Sequence, residues 1–178
     1  MSDQLIEIGN PILRQVAQPV TAIATPPTQR LIDHMIGVLQ RANGVGIAAP
    51  QVGVSQRLLI VASHPNPRYP HAPQMAPLPM VNPELVRCSG EPVKDWEGCL
   101  SVPNVRGLVP RYPTIVVRYC DRRGEPQQQA LTGFVARIFQ HEFDHLEGKV
   151  FTDRVERSED LFTEAEYLTK VAAQGRSA

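Results

Sequence analysis

Apolar side chains recur at three- and four-residue steps over residues 26–42, where Leu31, Met35, Val38, Leu39 and Ala42 fall on one face. Pro26 and Pro27 suit a first helical turn and Gly44 lies just beyond the end, so an amphipathic helix is predicted there. The run GVGIAAPQVG at 44–53 follows, with three glycines and a proline. It predicts an irregular segment that brings backbone close to something. A strand is expected over 57–62. Between 63 and 83 lie seven prolines, Pro65, Pro67, Pro70, Pro73, Pro77, Pro79 and Pro83. They forbid a helix and argue against a central strand, so an ordered surface loop is expected. Strands are predicted at 84–88, 114–119 and 127–132, the last two joined by a turn at 121–124 as a hairpin. The segment WEGCLSVP at 96–103 reads as a tight exposed loop. Helical spacing returns over 134–147 through Val135, Ile138, Phe139, Glu142 and Leu146, with Gly148 placed to stop it. A final amphipathic helix is expected over 158–173, with Glu159 and Asp160 in its first turn.

Strands mixed with helices in this order predict an α+β fold. Mostly antiparallel strands surround the central helix at 134–147, and the C-terminal helix packs outside. No internal repeat is visible. The length of 178 residues fits one domain spanning 1–178.

Composition narrows the setting. Hydrophobic residues are 42% and charged residues 20% of the chain, near the globular average. Lys plus Arg equal Asp plus Glu at 18 each, so no net field steers the chain toward nucleic acid or an anionic membrane. No apolar run approaches the roughly 20 residues of a membrane span. Cys88, Cys99 and Cys120 cannot close a disulfide framework, which points to a reducing compartment. The N-terminal segment MSDQLIEIGNPILRQ, with Asp3 and Glu7, does not read as a targeting peptide, so the cytoplasm is the expected location.

The second predicted helix carries His141, Glu142, Phe143, Asp144 and His145, the H-E-x-x-H pattern. Residues four apart on a helix lie one above the other, so both imidazoles reach one metal with Glu142 beside it. A third protein ligand is then needed, leaving one position open for water. A metzincin would place a histidine where this chain has Phe151, which excludes that arrangement. Glu164 or Glu166 lies at the distance of the third ligand in thermolysin-like peptidases, and Cys99 in its Gly- and Pro-flanked loop is the other candidate.

Three blocks in order, GVGIAAPQ at 44–51, EGCLS at 97–101 and QHEFDHL at 140–146, together with GNPILR at 9–14, resemble the peptide deformylases. The likeness spans nearly the whole chain. It implies a metal held by Cys99, His141 and His145, with Glu142 as catalytic acid and base. The implied ion is Fe2+, with Zn2+, Ni2+ or Co2+ able to substitute. The implied substrate is the N-formylmethionyl end of a nascent peptide, and the products are formate and a free amino terminus.

By the same likeness, the Gln51 side chain and the Leu100 backbone N–H donate hydrogen bonds to the developing oxyanion. Gly46 contacts the extended substrate through its backbone, and Arg106 contacts the substrate main chain. An apolar pocket for methionine is expected from Ile47, Phe134 and Ile138. Arg137, one turn before His141, is unexpected on a face lining such a pocket. Glu97 is expected to orient the metal loop, and Trp96 to pack beneath it or line the entrance. Family members act on chains leaving the ribosome, so contact near the exit tunnel is part of what the resemblance implies.

Two readings of other kinds compete: a metallopeptidase with Glu164 as third ligand, and a catalytically silent module in which the metal serves folding only.

Overall fold

The computed structural model describes residues 4–66 and 69–174, with side chains to residue 170. Pro67 of the proline-rich stretch and Asp3 of the N-terminal segment lie outside the described residues. Element order is α1 (Pro26–Arg41), β1 (Gly46–Ala48), β2 (Leu58–Val61), β3 (Leu78–Ser89), β4 (Val93–Cys99), β5 (Val102–Arg111), β6 (Thr114–Cys120), β7 (Pro126–Thr132), α2 (Gly133–Leu146), β8 (Leu161–Thr163) and α3 (Glu164–Gln174). Short 3-10 turns at Pro11–Arg14, Ala49–Val52, Phe151–Arg154 and Ser158–Asp160 join them. All strand pairings are antiparallel, in a five-stranded sheet ordered β1-β2-β3-β6-β7 and a three-stranded sheet ordered β4-β5-β8. The expected α+β architecture is present. Among the described residues, no helix is long and apolar enough to cross a membrane.

The larger sheet is buried on both faces. Leu59 and Val61 of β2 pack with Ala136, Phe139 and Leu146 of α2. Leu58 and Ile60 pack instead with Leu31, Ile32, Met35 and Leu39 of α1. The continuous apolar run LLIV is thus two faces read alternately, which is why it shows no polar positions. The smaller sheet covers a second side of α2. Arg137 reaches the carbonyls of Val109 (2.9 Å) and Val93 (2.6 Å), and Gln140 bridges Tyr112 N and O at 3.0 and 2.9 Å. The central helix therefore lies between the two sheets.

Several local expectations change. Part of the glycine-rich run forms strand β1, paired Gly46↔Val61 through Ala48↔Leu59, because its small residues let it lie close to α2. Pro79 and Pro83 sit inside β3 rather than in a loop. Pro79 pairs with Ile60 of β2 at a point where β6 has not yet joined, and Pro83 falls in the irregularity between Val81 and Glu84. A missing N–H costs little at either place. Cys99 ends strand β4 instead of riding on an exposed loop; only Leu100 and Ser101 turn before β5, an element the pattern did not reveal. The C-terminal helix starts at Glu164, because residues 161–163 pair with β5 as β8.

Gly148 ends α2 at φ +68°, with Lys149 N–H bonded to the Asp144 carbonyl at 2.9 Å. A Cβ here would stand 2.8 Å from the Arg14 carbonyl oxygen, in the N-terminal segment that crosses the end of α2. Left-handed backbone disfavours any other residue by roughly 1 kcal/mol before that overlap is counted. Gly148→Ala is expected to cost about 2 kcal/mol or more, a fall of roughly 5 °C in melting temperature. Calorimetry showing an unchanged midpoint would refute this account of the helix terminus.

Candidate metal centre and active site

Helix α2 presents three stripes. Ala136, Phe139, Phe143 and Leu146 face the large sheet. Arg137, Gln140, His141 and Asp144 form a polar stripe, all buried; Arg137, His141 and Asp144 bond to the small sheet and Gln140 to Tyr112 just beyond it. Ile138 and Glu142 line a cavity together with Gly46, Gln51, Trp96, Gly98, Cys99, Leu100, Phe134 and His141.

Cys99, His141 and His145 offer ligand atoms that lie within 4.8 Å of one another. Cys99 Sγ is 3.2 Å from His145 Nε2. A thiolate with two imidazoles is a donor set for zinc, ferrous iron and similar first-row ions, so these residues fit a divalent metal. Glu164 is no part of the cluster; it is paired with Arg106 at 2.6 Å. The alternative third ligand is thereby removed. Burial alone would raise the Cys99 thiol, yet the two imidazoles outweigh it and hold the group well below its usual range. A thiol so placed is ready to bind metal as thiolate.

Behind His141 stands Glu97. Its Oε2 accepts from His141 Nδ1 at 2.8 Å. Its carboxylate also receives Arg111 through Nε at 2.9 Å and Nη2 at 3.0 Å, and Arg137 Nη1 at 2.9 Å. Burial pushes the Glu97 carboxyl up, but the His141 hydrogen bond and the Arg111 charge win and hold it far below the ordinary carboxylate range. An ionised Glu97 fixes the proton of His141 on Nδ1 and leaves Nε2 as the ligand atom. The chain continues: Arg111 donates to Asp144 at 2.6 Å, and Asp144 receives Arg154 at 2.5 Å. The sequence implies an orienting role for Glu97 but not its partner Arg111 or the extension from Arg111 through Asp144 to Arg154. Arg137, unexpected on that face, is a cavity-wall residue whose charge is answered by Glu97.

Glu142 is buried, and its Oε2 has no hydrogen-bond partner among the described residues. Burial pushes its carboxyl up to about 7, against the opposing pull of the two imidazoles. Gly46 makes room for it: a Cβ there would meet Glu142 Oε1 at 2.5 Å and Ile138 Cγ2 at 2.7 Å. Gln51 is clamped in place. Its Oε1 accepts from Ala48 N at 2.8 Å, and its Nε2 donates to Ser101 Oγ at 3.1 Å and points at Cys99 Sγ, 3.6 Å away.

Of the expected pocket residues, Phe134 and Ile138 line the cavity. Ile47 does not. Its neighbour Gly46 faces the site, so alternation along β1 turns the Ile47 side chain into the core under α1. Arg106 is absent from the cavity wall and is bound to Glu164. Tyr69, from the proline-rich stretch, lines the cavity and packs on Phe134 with ring centroids 4.8 Å apart. No sequence signal singled it out.

The polypeptide deformylase family model matches residues 2–160. A relative from Nostoc sp., "Peptide deformylase 2", is 60% identical over 163 residues, covering 92% of this chain and 91% of its own. A Met-Ala-Ser-bound crystal structure of a class I type b peptide deformylase from Acinetobacter baumannii superposes with a TM-score of 0.83 at 46% identity, covering 85% of this chain and 96% of that one. An actinonin complex of a peptide deformylase from Synechococcus elongatus gives 0.79 at 35% identity, covering 88% and 80%.

Removing the charge behind His141 should loosen the metal. Glu97→Gln is expected to weaken zinc affinity about 10- to 100-fold in competition with a chelator; unchanged affinity would show that the network does not tune the site. The Asp144 carboxyl, against the effect of burial, is held below its usual value by Arg154 and Arg111. A depressed folded pKa gives stability above the unfolded value that fades as pH falls toward the folded one. The stability gap between wild type and Asp144→Asn should therefore be widest near pH 7 and narrow below about pH 4, measured by urea unfolding at both; a constant gap would contradict this.

Proposed function

The chain belongs to the polypeptide deformylase family and is a metal-dependent hydrolase that removes the N-formyl group from an N-terminal formylmethionine, and from that premise we propose how its own residues carry the reaction. The observation that carries the proposal is the convergence of Cys99, His141 and His145 beside the orphaned, buried carboxylate oxygen of Glu142. We take the whole of 1–178 as one catalytic domain.

Cys99, His141 and His145 hold the ion, and Fe2+ is the proposed species, with Zn2+, Ni2+ or Co2+ as substitutes. A divalent ion held there would supply Lewis acidity to water and to the formyl carbonyl. Glu142 accepts the proton of the attacking water and returns it to the departing amide nitrogen. The burial that raises this carboxyl favours its role as proton acceptor. Gln51 Nε2 and the Leu100 N–H donate to the oxyanion as it forms. The Ala48 and Ser101 contacts of Gln51 support this role, since they fix its amide before substrate arrives.

Two strand edges support an extended substrate. β1 is one edge of the large sheet and β4 one edge of the small one, and both border the cavity through Gly46 and through Gly98 and Cys99. A formylmethionyl peptide would add between them as a strand, with Gly46 backbone as one partner and the methionine side chain against Phe134 and Ile138. The lining of Tyr69, Trp96 and Phe134 supports an apolar side chain there. The proposed setting is the cytoplasm, on nascent chains leaving the ribosome near the exit tunnel, because that is where formylated termini arise.

The test is formate release from a formyl-Met peptide by anaerobically prepared, ferrous-loaded protein. Glu142→Ala is expected to lose at least about 100-fold in kcat with metal still bound, and Gln51→Ala about 100-fold in kcat with little change in KM. Equal rates in wild type and Glu142→Ala would overturn the assignment.

A further inference from the structure

The family match ends at residue 160, and the elements beyond it, β8 and α3, are fastened to the site. β8 pairs with β5 at Val105↔Thr163, Arg106↔Phe162 and Gly107↔Leu161. Trp96, which lines the cavity, sits edge-on against Phe162 and Tyr167, each ring centroid 5.0 Å away. At the start of α3 the Glu166 carboxylate accepts from Thr163 N and Oγ1, both at 2.8 Å, which fixes the first turn and the direction in which Glu164 leaves it.

Glu164 grips Arg106 in a fork. Its Oε2 accepts from Arg106 Nε at 2.6 Å and its Oε1 from Arg106 Nη2 at 3.0 Å, while the Tyr167 ring covers the guanidinium at 5.4 Å. Arg106 is only 8% exposed. The third nitrogen, Nη1, makes no hydrogen bond among the described residues and lies over Gly98, where any Cβ would overlap it. Gly98 precedes the metal ligand Cys99 and lies on the β4 edge of the cavity. Two of three guanidinium nitrogens are thus spent on Glu164, and the remaining one lies over Gly98, itself a residue of the cavity wall. Arginine has no freedom to point elsewhere while a planar bidentate pair holds it.

We propose that Glu164 is a positioning residue: the β8–α3 strap locks Arg106 so that Nη1 binds a main-chain carbonyl of the substrate beyond the formylmethionine. This makes the C-terminal strap a determinant of affinity for peptides longer than one residue. It rests on the reading that formylmethionyl peptides bind between β1 and β4.

The test is steady-state formate release by metal-loaded wild type, Glu164→Gln, Arg106→Ala and the double variant, with formyl-Met-Ala-Ser and with free formylmethionine. Wild-type turnover of formyl-Met-Ala-Ser establishes the deformylase activity by itself, and its absence would fell that reading and the inference with it; where free formylmethionine turns over too slowly for separate constants, kcat/KM is compared instead. With turnover present, Glu164→Gln is expected to raise KM for formyl-Met-Ala-Ser about tenfold with kcat within twofold, and to leave both constants for formylmethionine unchanged. Arg106→Ala should do the same, and the double variant should be no worse than Arg106→Ala, since Glu164 acts only through Arg106. The inference is overturned by additive losses in the double variant, by wild-type constants in either single variant, or by a loss shared equally by both substrates.

Discussion

A carboxylate buried among cations organises this protein. Glu97 is 4% exposed, yet it meets Arg111, Arg137 and His141 at hydrogen-bond distance. Taking such charges out of water is costly, and the cost is recovered only when every oxygen and proton finds a partner in fixed geometry. That demand fixes strand β4 against β5 and both against α2, because the three partners come from β5 and the helix. It also sets where His141 points, so the constraint that joins the small sheet to α2 is the one that aims a metal ligand. The extension through Asp144 to Arg154 closes the network toward the turn after the helix.

The reach of the sequence follows from how local each signal is. H-E-x-x-H is a one-helix pattern, and α2 formed where its spacing predicted, with Gly148 at its end. Glu97 and Arg137 lie 40 residues apart, and nothing local marks them as partners; Arg137 looked misplaced for that reason alone. β5 escaped notice because Pro103, Gly107 and Pro110 interrupt its alternation, although pairing with β4 and β8 overrides them. Ile47 was misassigned because membership of a motif says nothing about face; in a strand of three residues, one step along the chain moves a side chain from cavity to core. The C-terminal helix began late because apolar residues 161 and 162 suit a short strand as well as a helix, and only the free edge of β5 decides between them.

Function then rests on what surrounds the ligands. Two imidazoles and a thiolate would bind metal in many folds. Here the carboxylate beside them is buried, with room made for it and for Ile138 by the absence of a side chain at Gly46, and the amide of Gln51 is anchored by the Ala48 N–H and the Ser101 hydroxyl. Strands β1 and β4, an edge of each sheet, both border the cavity. Both sheets thus contribute to one cavity beside the helix, Gly46 and Gln51 from the large-sheet side and Trp96, Gly98 and Cys99 from the small one, and the segment after residue 160 packs on Trp96.

The claim on which all of this turns is that the fold brings Cys99, His141 and His145 to one ion. X-ray absorption of the zinc-loaded protein tests it directly. The account predicts one sulfur near about 2.3 Å and two imidazole nitrogens near about 2.0–2.1 Å, with the sulfur lost in Cys99→Ser. A shell of nitrogen and oxygen only, unchanged by that substitution, would contradict it.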